Sequence, residues 1–381
     1  MWDSAEIQWT EVRDVGDVRM GKQLSPAARD APGQFPYLRV ANVHLGRIDY
    51  ADVNTMGFTG AERERYGLKP GDILLNEGQS LELVGRSAIY DGAEGKFCFQ
   101  NTLIRFRPGA DVLPAYAQVV FERWLTTGVF AAIAKQTTSI AHLGGDRFAA
   151  LPFPLIPVTE QRRIVDVLDS IDSQIAWALQ EWGKQELVQQ GVLSDFLKSD
   201  PSDLSRTWSH GNFGDFVHLQ RGFDITVAEQ RPGAVPVVSS SGISSFHDIP
   251  KVQGPGVVTG RKGKLGGVYY LEGSYWPHDT SLWVTDFKGN DPYFVALYMK
   301  AMRLERYDAA TSVPTLNRNV VHKLPASFPD PGRQREIVAL MRASEGNSAA
   351  LRNEVAKLRE LKQGLVDDLL SGRGAVAAVA V

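Results

Sequence analysis

Leu151-Pro152-Phe153-Pro154-Leu155-Ile156-Pro157-Val158-Thr159-Glu160-Gln161-Arg162-Arg163-Ile164 has a weaker echo 173 positions on. There Leu324-Pro325, Gln334-Arg335 and Ile337 stand in the places of Leu151-Pro152, Gln161-Arg162 and Ile164. His142-Leu143 returns at the same offset as Thr315-Leu316. Towards the front, Gln100-Asn101-Thr102 returns as His278-Asp279-Thr280, 178 positions on, and Val15-Gly16-Asp17-Val18 as Phe213-Gly214-Asp215-Phe216, 198 positions on. Chance supplies one such match, not an ordered series that ends on a constant offset. The chain reads as two tandem copies, the second shortened by deletions in its front part.

Each copy has the same plan. Its front, about 10–158 and 211–331, carries short β-rich runs such as Asp72-Ile73-Leu74-Leu75 and Val257-Val258-Thr259, broken by many Gly and Pro. That pattern predicts a compact lobe with a curved sheet and long functional loops. Its tail, about 159–198 and 332–371, has no interior proline and follows Pro154-Leu155-Ile156-Pro157 or Pro329-Asp330-Pro331, which predicts a long helix.

The two tails share a seam. In the first, Ile164, Leu168, Ile171, Ile175, Ala178, Trp182, Gln185, Gln189, Val192 and Phe196 follow alternating steps of four and three. The second repeats the steps with Ile337, Met341, Ser344, Ser348, Leu351, Val355, Leu358, Lys362, Leu365 and Leu369. Such steps keep side chains on one stripe. Two amphipathic helices packed separately on their own lobes are the alternative; matched length and phase favour pairing. If a local two-fold axis relates the copies, the helices run antiparallel and the lobes project from opposite ends as unequal heads. The expected fold is α+β: two tandem α/β lobes separated by two long helices forming an antiparallel coiled coil, pseudo-two-fold, divided as 1–158, 159–203, 204–331 and 332–381.

The 381 residues are 43% hydrophobic and 22% charged, which argues against disorder, collagen and a membrane-spanning class. Met1 is followed by Trp2-Asp3-Ser4-Ala5-Glu6 and apolar stretches are short, so no signal peptide or transmembrane helix is expected. The one cysteine, in Phe97-Cys98-Phe99, reads as a buried strand thiol, and the expected compartment is the cytoplasm. The net charge of −3 is unevenly spread: residues 159–203 hold 4 Lys+Arg against 9 Asp+Glu, while 204–331 hold 13 against 11. A protein gripping DNA alone through many phosphates would be more basic, so with a nucleic-acid partner something else must supply much of the positive surface.

Catalytic motifs fail on inspection. Asn290-Asp291-Pro292-Tyr293-Phe294 is superficially like the Asn/Asp-Pro-Pro-Tyr loop of adenine methyltransferases, but it has one proline where two are required. No Gly-rich strand-to-helix turn for S-adenosylmethionine precedes it. It reads as a helix start, with Asp291 capping and Pro292 in the first turn. Gly260-Arg261-Lys262-Gly263-Lys264 is not a Walker loop. The seven histidines are dispersed without ligand spacing, and there is no Gly-x-Ser-x-Gly elbow. The chain is expected to be non-catalytic, with neither cofactor nor metal of its own.

Binding motifs fare better. Gly260-Arg261-Lys262-Gly263-Lys264-Leu265-Gly266-Gly267 packs three cations among four glycines, so backbone N–H groups and Arg261, Lys262 and Lys264 can approach phosphates together. A solvated basic turn is the plainer alternative. The first copy answers with the less basic Asn76-Glu77-Gly78-Gln79-Ser80 and Gly85-Arg86-Ser87, which points to Gln79 and Arg86. Near the end of each lobe, Lys135-Gln136-Thr137-Thr138-Ser139-Ile140-Ala141-His142 and Ala309-Ala310-Thr311-Ser312-Val313-Pro314-Thr315-Leu316-Asn317 offer hydroxyls with an amide or imidazole. Gln136, Thr138, Ser139, Thr311, Ser312 and Asn317 suit base edges or phosphates, and equally suit caps and turns. Arg39, Asn42 and His44 are polar candidates on a strand or loop, and His278 belongs to the second copy's 278–280 motif.

Over about 10–371 these motifs, with Pro70-Gly71-Asp72-Ile73-Leu74, resemble the DNA-specificity subunit of type I restriction-modification systems. The resemblance implies that each lobe is a target recognition domain and that the helices form a spacer and a platform for two methyltransferase subunits. Double-stranded DNA with a bipartite target, S-adenosylmethionine in the methyltransferase partner, and two restriction/translocase subunits where cleavage occurs are implied likewise. Glu160, Gln161, Arg162, Gln334 and Arg335 become candidate partner contacts. The second copy has Arg333-Gln334 where the first has Glu160-Gln161, which makes those contacts unequal. The different-class alternative is a coiled-coil assembly scaffold whose lobes bind protein or RNA; a third, an autonomous methyltransferase, requires the chain alone to bind S-adenosylmethionine.

Overall fold

The computed structural model describes residues 7–29, 31–136, 139–197, 208–226, 229, 231–308 and 313–371, the side chains of 27, 193–197 and 371 excepted. Two compact units divide the chain, Met1–Ala176 with Val355–Val381 and Trp177–Glu354, so each unit holds one lobe and part of each long helix.

In the first unit a four-stranded antiparallel sheet runs in the order Gly16–Met20, Leu103–Pro108, Ile73–Asn76, Ser87–Ile89. The central strands are apolar on both faces because both faces are covered. Ile73, Leu75, Ile104 and Phe106 enter one core with Tyr116, Val120 and Phe121 of the helix Pro114–Thr126, while Leu74 and Leu103 enter another with Leu38, Tyr90 and Phe99. Asp72, led in by Gly71 at φ +91, is buried and takes a forked pair from Arg107, Nε at 2.6 Å and Nη2 at 2.7 Å. A three-stranded sheet joins Cys98–Phe99, Gln34–Leu38 and Asn54–Gly57, its first pair parallel. Cys98 is buried there, and burial pushes its thiol up to about 12.

The second unit repeats this plan. Its four-stranded sheet runs His218–Arg221, Ser281–Asp286, Gly256–Gly260, Val268–Leu271, and its three-stranded sheet Gly242–His247, Val235–Ser239, Trp276–Pro277 again has one parallel pair. Phe213, Phe294, Tyr298 and Phe328 fill the core, with Phe216 stacked on Phe328 at 4.6 Å. Asp291 caps the helix Pro292–Ala301, its side chain accepting from the N–H groups of Tyr293 and Phe294, and Pro292 occupies the first turn.

One alignment is corrected. Val12–Val15 and Phe213–Phe216 are the equivalent short helices, and Lys22 bridges Gln100 as Phe223 bridges His278. The front offset is therefore 201, not 198. The shared Gly-Asp pulled the sequence match three residues out of place, nearly one helical turn.

The long helices are Val158–Leu197 and Pro331–Ser371. Every seam residue from Ile164 to Val192 and from Ile337 to Leu369 is buried or half-buried. Pairing is antiparallel within each unit. In the first, Lys362 Nζ donates to Asp172 at 2.8 Å while Ile164 and Leu168 share a core with Val366, Leu369 and Leu370. In the second, Arg352 lies over the Trp182 ring, whereas Gln189 Nε2 donates to Ser344 Oγ at 3.0 Å and to Ser348 Oγ at 3.3 Å. Ser344 Oγ in turn donates to Gln185 Oε1 at 3.1 Å. No helix among the described residues is long and apolar enough to cross a membrane.

Candidate nucleic-acid interface

Three segments converge in each lobe on one hydrogen-bond frame. In the second lobe the N–H groups of Arg261 and Lys262 donate to Thr280 O at 2.9 and 3.0 Å, and Leu316 N–H donates to Arg261 O at 2.8 Å. Gly263 N–H donates to Pro314 O, and Lys262 bridges Thr315. The Gly-rich loop, the 278–280 turn and the segment 313–317 are thus brought together. In the first lobe Glu77 N–H donates to Thr102 O at 2.9 Å and Leu143 N–H to Glu77 O at 2.8 Å. Gly78–Gln79 pairs with Ala141–His142, which pairs with Lys135–Gln136.

Glu77 therefore corresponds to Arg261 and His142 to Thr315. One rung away, Asn76 N–H donates to Arg86 O as Gly260 N–H does to Gly267 O, so Arg86 stands where the second lobe has Gly267. The frame is shared; the chemistry on it is not. Glu77 Oε2 meets His142 Nδ1 at 3.0 Å, whereas Arg261 Nε donates to Asp279 O at 3.0 Å and Lys262 and Lys264 are exposed.

Around the second frame, His278 Nδ1 lies 2.9 Å from Thr280 Oγ1, and Arg221 Nη2 donates to Asp279 at 2.7 Å. Asp224, His278 and Asp279 bring ligand-type atoms within 4.8 Å of one another, a grouping that their sequence spacing concealed; the Arg221 guanidinium already sits on Asp279. Asn317 Oδ1 accepts from Asn319 N–H at 2.9 Å as the cap of the helix Arg318–His322. In the first lobe Arg39 pairs with Asp52 at 2.7 Å, half-buried His44 sits in the hairpin opposite Arg47, and Gln79 Oε1 accepts from Ser80 N–H. Gln136 and Ser139 are exposed. Thr138, Thr311 and Ser312 lie outside the described residues.

Three candidates have a different task from the one expected. Asn42 is buried: its Nδ2 donates to Asp49 O and Asp52 O, and its Oδ1 accepts from Arg39 N–H, so its amide shapes the loop and reaches no base edge. Gln161 is buried, and its Oε1 accepts from Leu113 N–H while its Nε2 donates to Asp111 O and Ile156 O, all at 2.8 Å. Gln334 repeats this, accepting from Asp291 N–H at 2.8 Å and donating to Pro329 O at 2.8 Å and Asn290 Oδ1 at 2.7 Å. Each glutamine latches the start of a long helix to the start of a lobe helix and is closed to a partner chain. Of the neighbours, Arg162 and Arg335 are exposed, and Glu160 is half-buried and paired with Arg163 at 3.0 Å.

Sequence reasoning also passed over two pairs outside the seam. Val167 and Leu340 are exposed, as are Val188 and Leu361, and each pair stands at the 173-residue offset. Apolar residues at equivalent non-seam positions were the signal.

Compared with known families, residues 6–188 match the type I restriction modification DNA specificity domain. That span is similar to the DNA specificity domain of type I systems. The matched span takes in the first lobe and most of the first long helix, and the likeness to type I specificity subunits read from the sequence holds. Among curated relatives, a Methanocaldococcus jannaschii protein named as a type I restriction enzyme MjaX specificity subunit is 22% identical over 275 residues, 68% of this chain and 60% of that protein. A Haemophilus influenzae protein named as a type I restriction enzyme specificity subunit is 26% identical over 165 residues, 43% of this chain and 40% of that protein. The matches thus span less than two thirds of either relative. Among solved structures, the S subunit of a type I restriction-modification system from M. genitalium is similar with a TM-score of 0.56 at 15% identity, covering 96% of both chains. A chain from a study of type I complex assembly and conformational transition gives 0.66 at 14% identity, covering 96% of this chain and 98% of its own. The HsdS subunit from Thermoanaerobacter tengcongensis gives 0.56 at 14% identity, covering 96% and 97%. At these identities the likeness speaks for the fold.

Proposed function

We propose that the chain is the non-catalytic DNA-specificity subunit of a type I restriction-modification complex acting in the cytoplasm. Each lobe reads one part of a bipartite, asymmetric duplex target. The long helices carry two methyltransferase subunits, which bring S-adenosylmethionine, and restriction/translocase subunits join where the system cleaves. The observation that carries this reading is the shared backbone frame bearing different side chains, Glu77 against Arg261 and Arg86 against Gly267. A common scaffold with divergent loop chemistry suits two related readers of unlike half-sites. The exposed apolar pairs Val167/Leu340 and Val188/Leu361 suit two like partners.

Exchanging residues 211–331 for the second lobe of a relative and mapping methylated adenines tests the assignment. One part of the target is expected to change and the other to persist; a change in both parts, or in neither, overturns it. Neutralising Lys262 and Lys264 with glutamine is expected to weaken binding to all duplexes alike and to reduce the slope of log affinity against log salt by about 2, since phosphate contacts carry little sequence information. Arg261 is left in place because its Nε supports the turn at Asp279. An unaltered slope would show that this loop faces away from DNA.

A further inference from the structure

Arg86 directly precedes the strand Ser87–Ile89, its carbonyl accepting from Asn76 N–H, and is half-buried with its Nε removed from solvent. Among the described residues its guanidinium has neither a hydrogen-bond acceptor nor a carboxylate partner, and burial alone lowers its affinity for the proton. Such a group is costly: a guanidinium that loses water ordinarily gains an anion or several acceptors in return. Its position is also fixed. Gly85 stands at φ +84 with Phe130 packed where a Cβ would lie, so the turn that presents Arg86 has no slack. Beside it, Asn76 Oδ1 and Gln118 Oε1 are likewise buried without partners, while Gln118 Nε2 donates to Ser87 O at 3.1 Å. Polar capacity left open here contrasts with Asn42, Gln161 and Asp72, where it is closed. The second lobe has Gly267 at this position and carries its cations on the neighbouring loop.

We infer that Arg86 is a specificity-lobe residue whose missing acceptor is an oxygen of duplex DNA, so that the first lobe supplies by one guanidinium what the second supplies by its lysine-bearing loop. The inference rests on the proposed function. A planar fork suits two sources of the same chemistry, a backbone phosphate and the O6/N7 edge of guanine.

The test uses the full chain with its methyltransferase subunits, comparing wild type, Arg86→Ala and Arg86→Lys on target and non-target duplexes over a salt series, with melting temperature measured alongside. Arg86→Ala is expected to lower target affinity by about tenfold and to leave melting unchanged or raised, because it removes an unpartnered charge. Arg86→Lys should restore binding only in part. A loss confined to the target, with one base position relaxed, assigns a base edge. An equal loss on both duplexes, with the salt slope reduced by about one, assigns a phosphate. Lowered melting with target affinity within twofold of wild type overturns the inference and makes Arg86 structural. Wild-type complex that binds no duplex overturns the proposed function instead.

Discussion

Gln161→Ala is expected to destabilise the first unit by about 3 kcal/mol. The substitution strands Leu113 N–H and Ile156 C=O, both half-buried, against about 1–3 kcal/mol for each fully buried group left without a partner. Asp111 is exposed, so water can replace the bond to its carbonyl. Gln161→Glu is expected to be no milder: it keeps the acceptor for Leu113, loses both donors and places a carboxylate against two carbonyls. The measurement is the urea midpoint of the first unit, with hydrogen exchange at Leu113 as the local reporter. Gln334→Ala should do the same in the second unit, with Asp291 N–H as its reporter. A loss of stability under about 0.5 kcal/mol, the size of an ordinary surface substitution, would show that the latch is incidental.

The second large effect has the opposite sign. Gln185, Gln189, Ser344 and Ser348 form a hydrogen-bonded polar layer in the seam, while the equivalent positions Leu358, Lys362, Ile171 and Ile175 carry three aliphatic residues and one lysine. Replacing the layer with Gln185→Leu, Gln189→Leu, Ser344→Ile and Ser348→Ile is expected to stabilise the helix pair by about 2–4 kcal/mol, since apolar packing outweighs a satisfied polar cluster. The same change removes the element that distinguishes one half of the seam from the other, and buried polar residues are the best-attested means of fixing register. Denaturation should show the gain, and sedimentation should show self-association through mispaired helices. A more stable chain that stays monomeric would mean that register is fixed elsewhere.

Much of the fold was legible because its strongest signals are periodic. Steps of four and three marked both helices and their shared stripe, and proline placed their starts. The Asp291-Pro292 helix start was legible for the same reason: cap chemistry is local. Where the outcome depended on which distant backbone groups lack partners, sequence said little. Gln161 looked like a surface contact because it lies between Glu160 and Arg162; its burial follows from three backbone groups on either side of it that need its amide. Asn42 misled in the same way. The front of the repeat went astray because a chance Gly-Asp outweighed the helix Val12–Val15, whose match to Phe213–Phe216 is one of position rather than composition. Arg86 was picked out by its residue type, but its lack of a protein acceptor is visible only in three dimensions.

The first unit draws its core from both sides of the second. Ile164 and Leu168 pack with Val366, Leu369 and Leu370, and Arg123 Nε donates to Asp367 at 2.9 Å, so roughly 200 residues of chain separate the two faces of one core. During synthesis the first lobe emerges early with this stripe uncovered. At about 5–20 residues per second, its covering strip follows some ten to forty seconds later. Over that interval the nascent chain presents a sticky apolar flank to chaperones and to its neighbours on the same messenger, and translation speed across residues 177–354 becomes a determinant of yield.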